Sequence, residues 1–317
     1  MLVTGMPRAG TSWVGKMLEA GGRFVYINEP LNPRHPPGQS PGVLNAPVRH
    51  RFQYISEANE DLYLQPFRDT LAFRYRFGAE LRRNRSLPDL LRLVQHSGSF
   101  GYGRVRGYRP LLDDPYAVLS AGWFARRLGC QVVVVVRHPA AIVASRLRLG
   151  WRTDFSELLA QPSLMEQWLE PDRADMEALV QAGDPLAEGA LLWRIIYRTV
   201  DELRRRDLDL HVVRHEDLSL EPLRGFDELF GRIGLRFGDE AARRVERATS
   251  GDGGERRVAW SRSGGAPSRT AFRPLDSRAN VNRWQSELDS EQVARVRQLC
   301  GEVAASFYVD TEWDPCR

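Results

Sequence analysis

The sequence predicts an α/β protein whose parallel sheet is flanked by helices. The run CQVVVVV at 130–136 is continuously apolar, which is typical of a strand buried on both faces. Other short apolar runs alternate with segments of helical periodicity, and strands separated by helices indicate a parallel sheet with crossover helices. In such sheets ligands bind at the carboxyl ends of the strands. The residues that follow each strand are therefore the first candidates for a functional site.

The individual elements follow from this pattern in chain order. Apolar runs predict strands at 1–5, 23–28, 130–136 and 210–215. Helical periodicity, glycine stops and a proline in one first turn predict helices at 11–22, 114–129, 139–150, 186–206 and 289–307. Residues 43–110 are rich in arginine and aromatics, and we expect them to be irregular. The low-complexity stretch that begins at 250 predicts a mobile loop over 250–280.

Size and charge limit the class of protein. A chain of 317 residues, 42% hydrophobic and 27% charged, can bury one substantial core, so we expect a single domain over 1–317. The formal charge of +4 is the small excess of 45 basic over 41 acidic residues. The arginine clusters at 80–85 and 201–207 have acidic neighbours, which is typical of solvated helix faces. No nucleic-acid partner is therefore expected.

Hydropathy and cysteine content indicate the compartment. No apolar run approaches the roughly 18 residues of a membrane span, and no leader precedes the first strand, so we expect a cytoplasmic protein. Cys130, Cys300 and Cys316 cannot all pair and lack the spacing of metal ligands. That is typical of free thiols in a reducing compartment.

The first strand leads into a glycine-framed loop, TGMPRAGTSW at 4–13. Gly5 and Gly10 have the spacing of a phosphate-binding P-loop, yet Thr11 stands where a nucleotide triphosphatase carries lysine. The backbone N–H groups and the hydroxyls of Thr11 and Ser12 suit an anion without that lysine. Arg8 is the one basic residue inside the loop. The sequence therefore predicts a P-loop-like sheet whose loop binds an anion without the usual lysine.

The strand at 130–136 indicates a second anion site. It ends in Arg137, where a triphosphatase often has a magnesium-binding aspartate. Arg137 would repel a metal ion and attract an anion. Ser145 lies eight residues further on, along the helix that starts at Pro139, and can share that anion. The sequence therefore predicts a ligand with two separated anionic groups and no metal.

Together these motifs resemble the sulfotransferases that use 3′-phosphoadenosine 5′-phosphosulfate (PAPS), in particular their bacterial members. PRAGTSW at 7–13 resembles the 5′-phosphosulfate loop of that family, and RHPAAIVAS at 137–145 resembles its 3′-phosphate motif. VVRHEDL at 212–218 is similar to the strand followed by Tyr-Glu-Asp, and NRWQSELDSEQV at 282–293 to the segment before the last helix. The departures are Arg8 for the usual lysine, His215 for the usual tyrosine, and LDDP at 112–115.

The resemblance implies a set of site residues. PAPS is expected as co-substrate, bound by the loop, the second motif and the later segments, that is by Pro7, Arg8, Ala9, Gly10, Thr11, Ser12, Trp13, Arg137, Ser145, His215 and Arg283. Trp13 is equally compatible with a place in the core. Arg8 is expected to stabilise charge on the reacting group, because arginine is too weak an acid to give up a proton.

The catalytic base is the most open assignment. Glu29 is preferred because it follows the strand at 23–28 and NEP resembles a motif of carbohydrate sulfotransferases; the alternative is that it caps a turn or pairs with an arginine. Asp113, Asp114 and His35 are alternatives, although aspartates before PYAVLSA are typical helix caps. His138 is expected to be structural.

The function predicted is sulfuryl transfer from PAPS to a hydroxyl of a small molecule, sugar or glycolipid. The alternatives are a P-loop kinase or nucleotide-binding regulator with a degenerate motif, and a binding module without activity. The acceptor is expected to contact the segment 32–110, as an acceptor-binding insertion, and loops near Trp151 and Trp260. The sequence names neither the acceptor nor an oligomeric state.

Overall fold

A computed structural model describes residues 1–33, 46–84, 86–206, 208–249 and 277–314. Within these residues, five parallel strands form one sheet in the order β2-β3-β1-β4-β5. The strands are β1 (Leu2–Gly5), β2 (Phe24–Asn28), β3 (Arg109–Asp113), β4 (Val132–Val136) and β5 (Leu210–Arg214).

Helices flank this sheet. The α-helices are α1 (Thr11–Gly21), α2 (Leu64–Leu71), α3 (Phe77–Arg83), α4 (Leu87–Arg106), α5 (Ala121–Leu128), α6 (Pro139–Arg148), α7 (Ser156–Leu159), α8 (Pro162–Leu164), α9 (Arg173–Ala182), α10 (Pro185–Arg205), α11 (His215–Leu220), α12 (Pro222–Arg232), α13 (Asp239–Thr249), α14 (Ser277–Val281), α15 (Trp284–Glu287) and α16 (Ser290–Ala304). Short 3₁₀ turns lie at Glu60–Leu62, Pro115–Ser120, Glu170–Asp172 and Asp310–Trp313, and one π turn at Met165–Leu169.

The predicted α/β class and parallel sheet are confirmed. All five residues of β4 are buried, as its continuous apolar run predicts. The predicted helices at 11–22, 139–150, 186–206 and 289–307 correspond to α1, α6, α10 and α16. The segment 114–129 divides into a 3₁₀ turn and α5. Cys130 and Cys300 are free and buried, and Cys316 lies outside the described residues.

Strand β3 is missing from the sequence prediction. Its five residues, RPLLD, are few, and Pro110 argues against an interior strand. The neighbouring amides show why proline is tolerated: Arg109 N donates to Arg23 O on the β2 side, and Leu112 N donates to Met1 O on the β1 side. The N–H that Pro110 lacks would point to the β1 side, at a level before β1 begins. Proline therefore removes no hydrogen bond between β1 and β3.

The expectation that residues 43–110 are irregular is wrong. The segment contains α2, α3 and the 20-residue α4, and it ends in β3. Three glycines in α4 obscure its helical pattern. Gly103 has a packing reason, because a Cβ there would lie 2.4 Å from the Val25 side chain. Of the segment 250–280, residues 250–276 lie outside the described residues, and the remainder begins α14 rather than continuing a loop.

Candidate functional site

The loop between β1 and α1 has the backbone of an anion cradle. Gly5 (φ 149°) and Gly10 (φ 104°) frame it, and Ala9 N donates to Met6 O. A Cβ on Gly10 would lie 2.6 Å from the His215 ring. Gly10 is the N-cap of α1 and supplies no side chain to the first amides of the helix. These amides and the positive end of the helix dipole therefore suit an anion.

The predicted residues Arg8, Arg137 and Ser145 come together at the carboxyl end of the sheet. Arg8 Nε donates to Ser145 Oγ at 3.1 Å, although 137 positions separate them. Arg148, one helical turn beyond Ser145, adds a third guanidinium nearby. Burial lowers the pKa of Arg8, and the positive charges of Arg137 and Arg148 lower it further. The cluster is an excess of positive charge that an anion would relieve.

The guanidinium of Arg137 is held by two backbone carbonyls. Its Nη1 donates to Arg8 O at 3.2 Å and its Nη2 to Asn280 O at 3.3 Å. Its Nε is buried without a hydrogen-bond partner, and the side chain forms no salt bridge within the described part of the chain. Burial lowers the pKa of Arg137, while the nearby Glu216 raises it. Its geometry fits the predicted binding of an anionic group.

Around this cluster lie buried rings and carboxylates with structural contacts. Glu216 accepts from His138 N at 2.9 Å and from Tyr308 Oη at 3.0 Å. His138 stacks on Trp284, with centroids 5.1 Å apart, and burial lowers its pKa to about 3. This neutral, buried ring is the structural histidine that the sequence predicts.

His215 and Trp13 form the wall beneath Gly10. Their ring centroids are 5.4 Å apart, and Trp13 also meets Phe226 edge-on. His215 shares a hydrogen bond with Ser219 Oγ, and burial holds its pKa well below the usual range. Both rings are at least 90% buried. Both rings pack under the loop. For Trp13 this is the place in the core that the sequence leaves open.

Three carboxylates lie where β2 and β3 end. Glu29 N donates to Asp113 O at 2.7 Å, so Glu29 sits beside the end of β3. Glu29 is half-buried and its backbone is left-handed (φ 43°), as is that of Arg8 (φ 83°). Non-glycine residues rarely adopt this conformation, and such strain is concentrated at functional sites. Asn32 Nδ2 donates to Glu29 Oε2 at 2.6 Å.

The two neighbouring aspartates are occupied in different ways. Asp114 accepts from Tyr116 N and from Leu31 N, so it caps the following turn as predicted. Asp113 is fully buried and accepts a hydrogen bond from Tyr26 Oη, so the expectation that it caps a helix is wrong. Burial raises the pKa of Asp113 to about 6, the Tyr26 hydrogen bond lowers it, and the charge of Glu29 raises it.

Asp113 also corrects the sequence argument about metal ions. The sequence pattern indicates Arg137 as the strand-end residue beside the loop, because it does not predict β3. The structure places Asp113 at the end of β3, next to β1. Its carboxylate is engaged with Tyr26, and no three His, Cys, Asp or Glu side chains of the described ranges are grouped like metal ligands.

Some predicted residues lie apart, and others were missed. Arg283 is exposed and pairs with Glu287, which also pairs with Arg148, so Arg283 is one side chain away from the cluster. His35 and Trp260 lie outside the described residues. The sequence analysis missed Arg148 and Tyr26. Arg148 could have been found, because it lies three residues after Ser145 on the same helix.

A pocket opens beside the loop at Pro7. Its other walls are the segment 51–52, Tyr116, the end of α6, and the loop that begins at Trp151. The guanidinium of Arg8 lies 5.9 Å from the Trp151 ring. A ligand group bound in this pocket would therefore lie next to the loop and Arg8.

The fold and the site define a P-loop-like α/β protein with a cationic loop at the carboxyl end of its sheet. The model of the sulfotransferase domain matches residues 1–307, so the chain belongs to that family. It is 22% identical to carbohydrate sulfotransferase 1 of Homo sapiens, over 97% of this chain and 78% of that protein, and equally similar to its Rattus norvegicus counterpart. The sulfotransferase domain of the Synechococcus PCC 7002 olefin synthase has the same fold, with a TM-score of 0.50, 18% identity, and coverage of 98% of this chain and 94% of that one.

The chain is thus a sulfotransferase, an enzyme that transfers a sulfuryl group to an acceptor. The alternative prediction of a kinase or nucleotide-binding regulator is not supported. In the described ranges no helix is long and apolar enough to cross a bilayer.

Proposed function

We propose that the sulfuryl donor is PAPS and that the whole chain acts as one sulfotransferase domain. The observation that carries this proposal is the pairing of Arg8 with Ser145 beside Arg137, which joins the two sequence motifs in one cationic site. PAPS has two anionic groups on one nucleoside, and the site has two matching regions. The bound donor supplies the sulfuryl group; every other task belongs to side chains and backbone of this chain.

Arg137 and Ser145 bind the 3′-phosphate in this proposal. A buried guanidinium with an unpartnered Nε fits a phosphate, since charge-assisted hydrogen bonds are the strongest compensation for burial. The loop amides, Arg8, Thr11 and Ser12 bind the phosphosulfate end. Arg8 would stabilise charge on the sulfuryl oxygens and the leaving phosphate.

Glu29 is the proposed general base. Asp113 and Asp114 are 0% and 1% exposed and hold other groups, whereas Glu29 is half-buried at the same edge of the sheet. A carboxylate that can reach solvent can take the proton of an acceptor hydroxyl as its oxygen attacks sulfur. Asn32 donates to this carboxylate and would orient it.

The proposed acceptor is a glycan or a related small molecule, in keeping with the carbohydrate sulfotransferases that the chain resembles. The segment 32–110 supplies acceptor contacts through Arg51 and Phe52, which line the pocket beside Pro7. Trp151 offers a partly exposed aromatic face to a sugar ring.

A nucleotide panel tests this proposal. The desulfated product 3′-phosphoadenosine 5′-phosphate (PAP) should stabilise the fold in EDTA, whereas ATP with magnesium should do so weakly. At a concentration of PAP one hundred times its dissociation constant the gain is about 2.7 kcal/mol, which is measurable as a rise in Tm. Equal or greater stabilisation by magnesium-ATP, for which Asp113 could be recruited, would contradict the proposal.

A further inference from the structure

The pocket beside Pro7 is lined by a deeply buried arginine. Arg146, on α6, is only 4% exposed. Its Nη2 donates to Thr153 Oγ1 at 2.7 Å, while its Nε is buried without a hydrogen-bond partner. Within the described ranges its guanidinium forms no salt bridge. The neighbouring Arg152 differs, because the carboxylate of Glu188 binds it through both oxygens.

The acidic residues of the pocket are used elsewhere. Asp154 Oδ1 accepts from Ser156 N at 3.0 Å, and Glu157 Oε2 accepts from Arg51 N at 2.6 Å. The side chain of Arg51 adds a second positive charge to the wall. Glu188 is engaged by Arg152 and by Thr153 N. Within the described residues, none of these carboxylates forms a salt bridge with the side chain of Arg51 or Arg146.

Arg146 retains its charge at neutral pH. Burial lowers the pKa of Arg146 to about 10, Glu188 raises it, and Arg51 lowers it again. A buried charge without a counter-ion is costly, and a sugar hydroxyl would satisfy hydrogen bonds without neutralising it. A planar guanidinium binds carboxylate, sulfate and phosphate oxygens through two parallel hydrogen bonds.

We propose that Arg146 and Arg51 form an anion subsite for the acceptor, so that the enzyme prefers a hydroxylated acceptor that already carries a carboxylate, sulfate or phosphate group. The subsite rests on the proposed function, because it assigns the acceptor to the pocket beside Pro7, next to the loop that is proposed to bind the donor. Phe52 and Trp151 supply apolar surface for the rest of the acceptor, and the anion fixes its orientation relative to the loop.

Matched glycosides test the subsite directly. Titration calorimetry on the PAP-saturated enzyme would compare p-nitrophenyl β-glucuronide with the β-glucoside, and p-nitrophenyl β-galactoside 6-sulfate with the β-galactoside. At least one charged glycoside should bind about tenfold or more tightly than its neutral partner, since hydrogen bonds to charged groups are stronger than those between neutral groups. Arg146→Gln and Arg51→Gln should each reduce that preference severalfold.

Arg49→Gln is the matched control, because Arg49 is exposed, two residues from Arg51, and does not line the pocket. It should keep the preference, and all three variants should bind PAP like the wild type. If Arg146→Gln does not fold, the preference for charged glycosides in Arg51→Gln decides whether the subsite exists. Equal binding of charged and neutral glycosides, or no binding of any at millimolar concentration, overturns the subsite, whereas normal PAP binding in that case leaves the proposed function standing.

Discussion

Arg137 connects the two anion-binding motifs through one side chain. It follows β4, and its Nη1 binds the carbonyl of Arg8 in the loop that follows β1. Trp193 Nε1 donates to the Arg137 carbonyl at 2.8 Å, which fixes the backbone from behind. The residue proposed for the 3′-phosphate therefore also positions the phosphosulfate loop.

Removing this guanidinium should weaken binding of PAP more than removing the serine beside it. Arg137→Ala should cost about 2–5 kcal/mol of binding free energy as a buried charge partner, and Ser145→Ala about 1 kcal/mol as a neutral hydroxyl. Calorimetric titration with PAP measures both. The exposed Arg297, paired with Asp310, provides a control in Arg297→Ala. Unchanged affinity in both site variants would exclude Arg137 and Ser145 from the 3′-phosphate site.

Glu29 is expected to act in the chemical step and not in donor binding. Glu29→Gln keeps the size and the contact with Asn32 but removes the basic carboxylate, so turnover should fall roughly 10²- to 10⁴-fold. The affinity for PAP should stay within about threefold. Sulfuryl transfer to an acceptor, or slow hydrolysis of PAPS as a surrogate, provides the assay.

The aspartates at the end of β3 are the comparison for Glu29. Asp114→Asn affects a cap and should lower stability by about 1 kcal/mol without a comparable loss of turnover. If Glu29→Gln keeps more than half of the activity while Asp113→Asn or Asp114→Asn is inactive, the base lies on the 113–114 segment.

At the scale of an element, the loop and α1 depend on Gly10. Its φ of 104° disfavours any L side chain, and a Cβ would meet the buried ring of His215. Gly10→Ala should therefore lower the free energy of unfolding by about 1–3 kcal/mol, measured by urea denaturation, and weaken PAP binding. A variant as stable as the wild type would mean that the loop readily adopts another backbone.

Gly101 in α4 is the control for this substitution. A Cβ at Gly101 meets no atom within 4 Å, and its φ is not positive. Gly101→Ala should raise stability by about 0.5–1 kcal/mol, because glycine is a poor helix former. The same chemical change thus has opposite signs in the loop and in the helix.

At the scale of the whole molecule, the buried Asp113 links stability to pH. Its pKa rises from 3.8 to about 6 on folding, so the folded protein binds this proton more tightly than the unfolded chain does. The stabilisation that the neutral carboxyl provides is complete below about pH 4 and is lost as pH rises through about 6.

Asp113→Asn removes this titration and should keep the Tyr26 contact, because the amide oxygen can accept the same hydrogen bond. Relative to the wild type, its free energy of unfolding should increase by about 3 kcal/mol between about pH 4 and pH 7. Urea denaturation at several pH values measures the difference. Asp310→Asn, at an exposed ion pair, is a control for the loss of a surface carboxylate and should change the free energy of unfolding by at most about 1 kcal/mol. A flat profile for Asp113→Asn would place its folded pKa near the ordinary value.

The sequence by itself determined the sheet class and four of the five strands, and it located the two motifs that are proposed to bind anions. Gly5, Gly10 and Arg137 were identifiable because their roles depend on local backbone form and on position at a strand end. The order of the strands was not readable, because it depends on which distant segments pair. β3 and α4 were missed for the same kind of reason: Pro110 and Gly103 contradict local propensity, and only the packing around them permits these elements.

The tertiary structure decided how the motif residues meet. Arg8 and Ser145 are 137 positions apart, and only the neighbouring placement of β1 and β4 brings them within 3.1 Å. Asp113 looked like a helix cap in the sequence, and its burial against Tyr26 made it a titrating core residue instead. Burial and ion pairing are properties of the packed chain, so the burial of Arg146 and its Nε without a hydrogen-bond partner could not be inferred from its place in a helix. Local geometry is encoded along the chain, whereas charge balance and solvent access arise only when distant segments pack together.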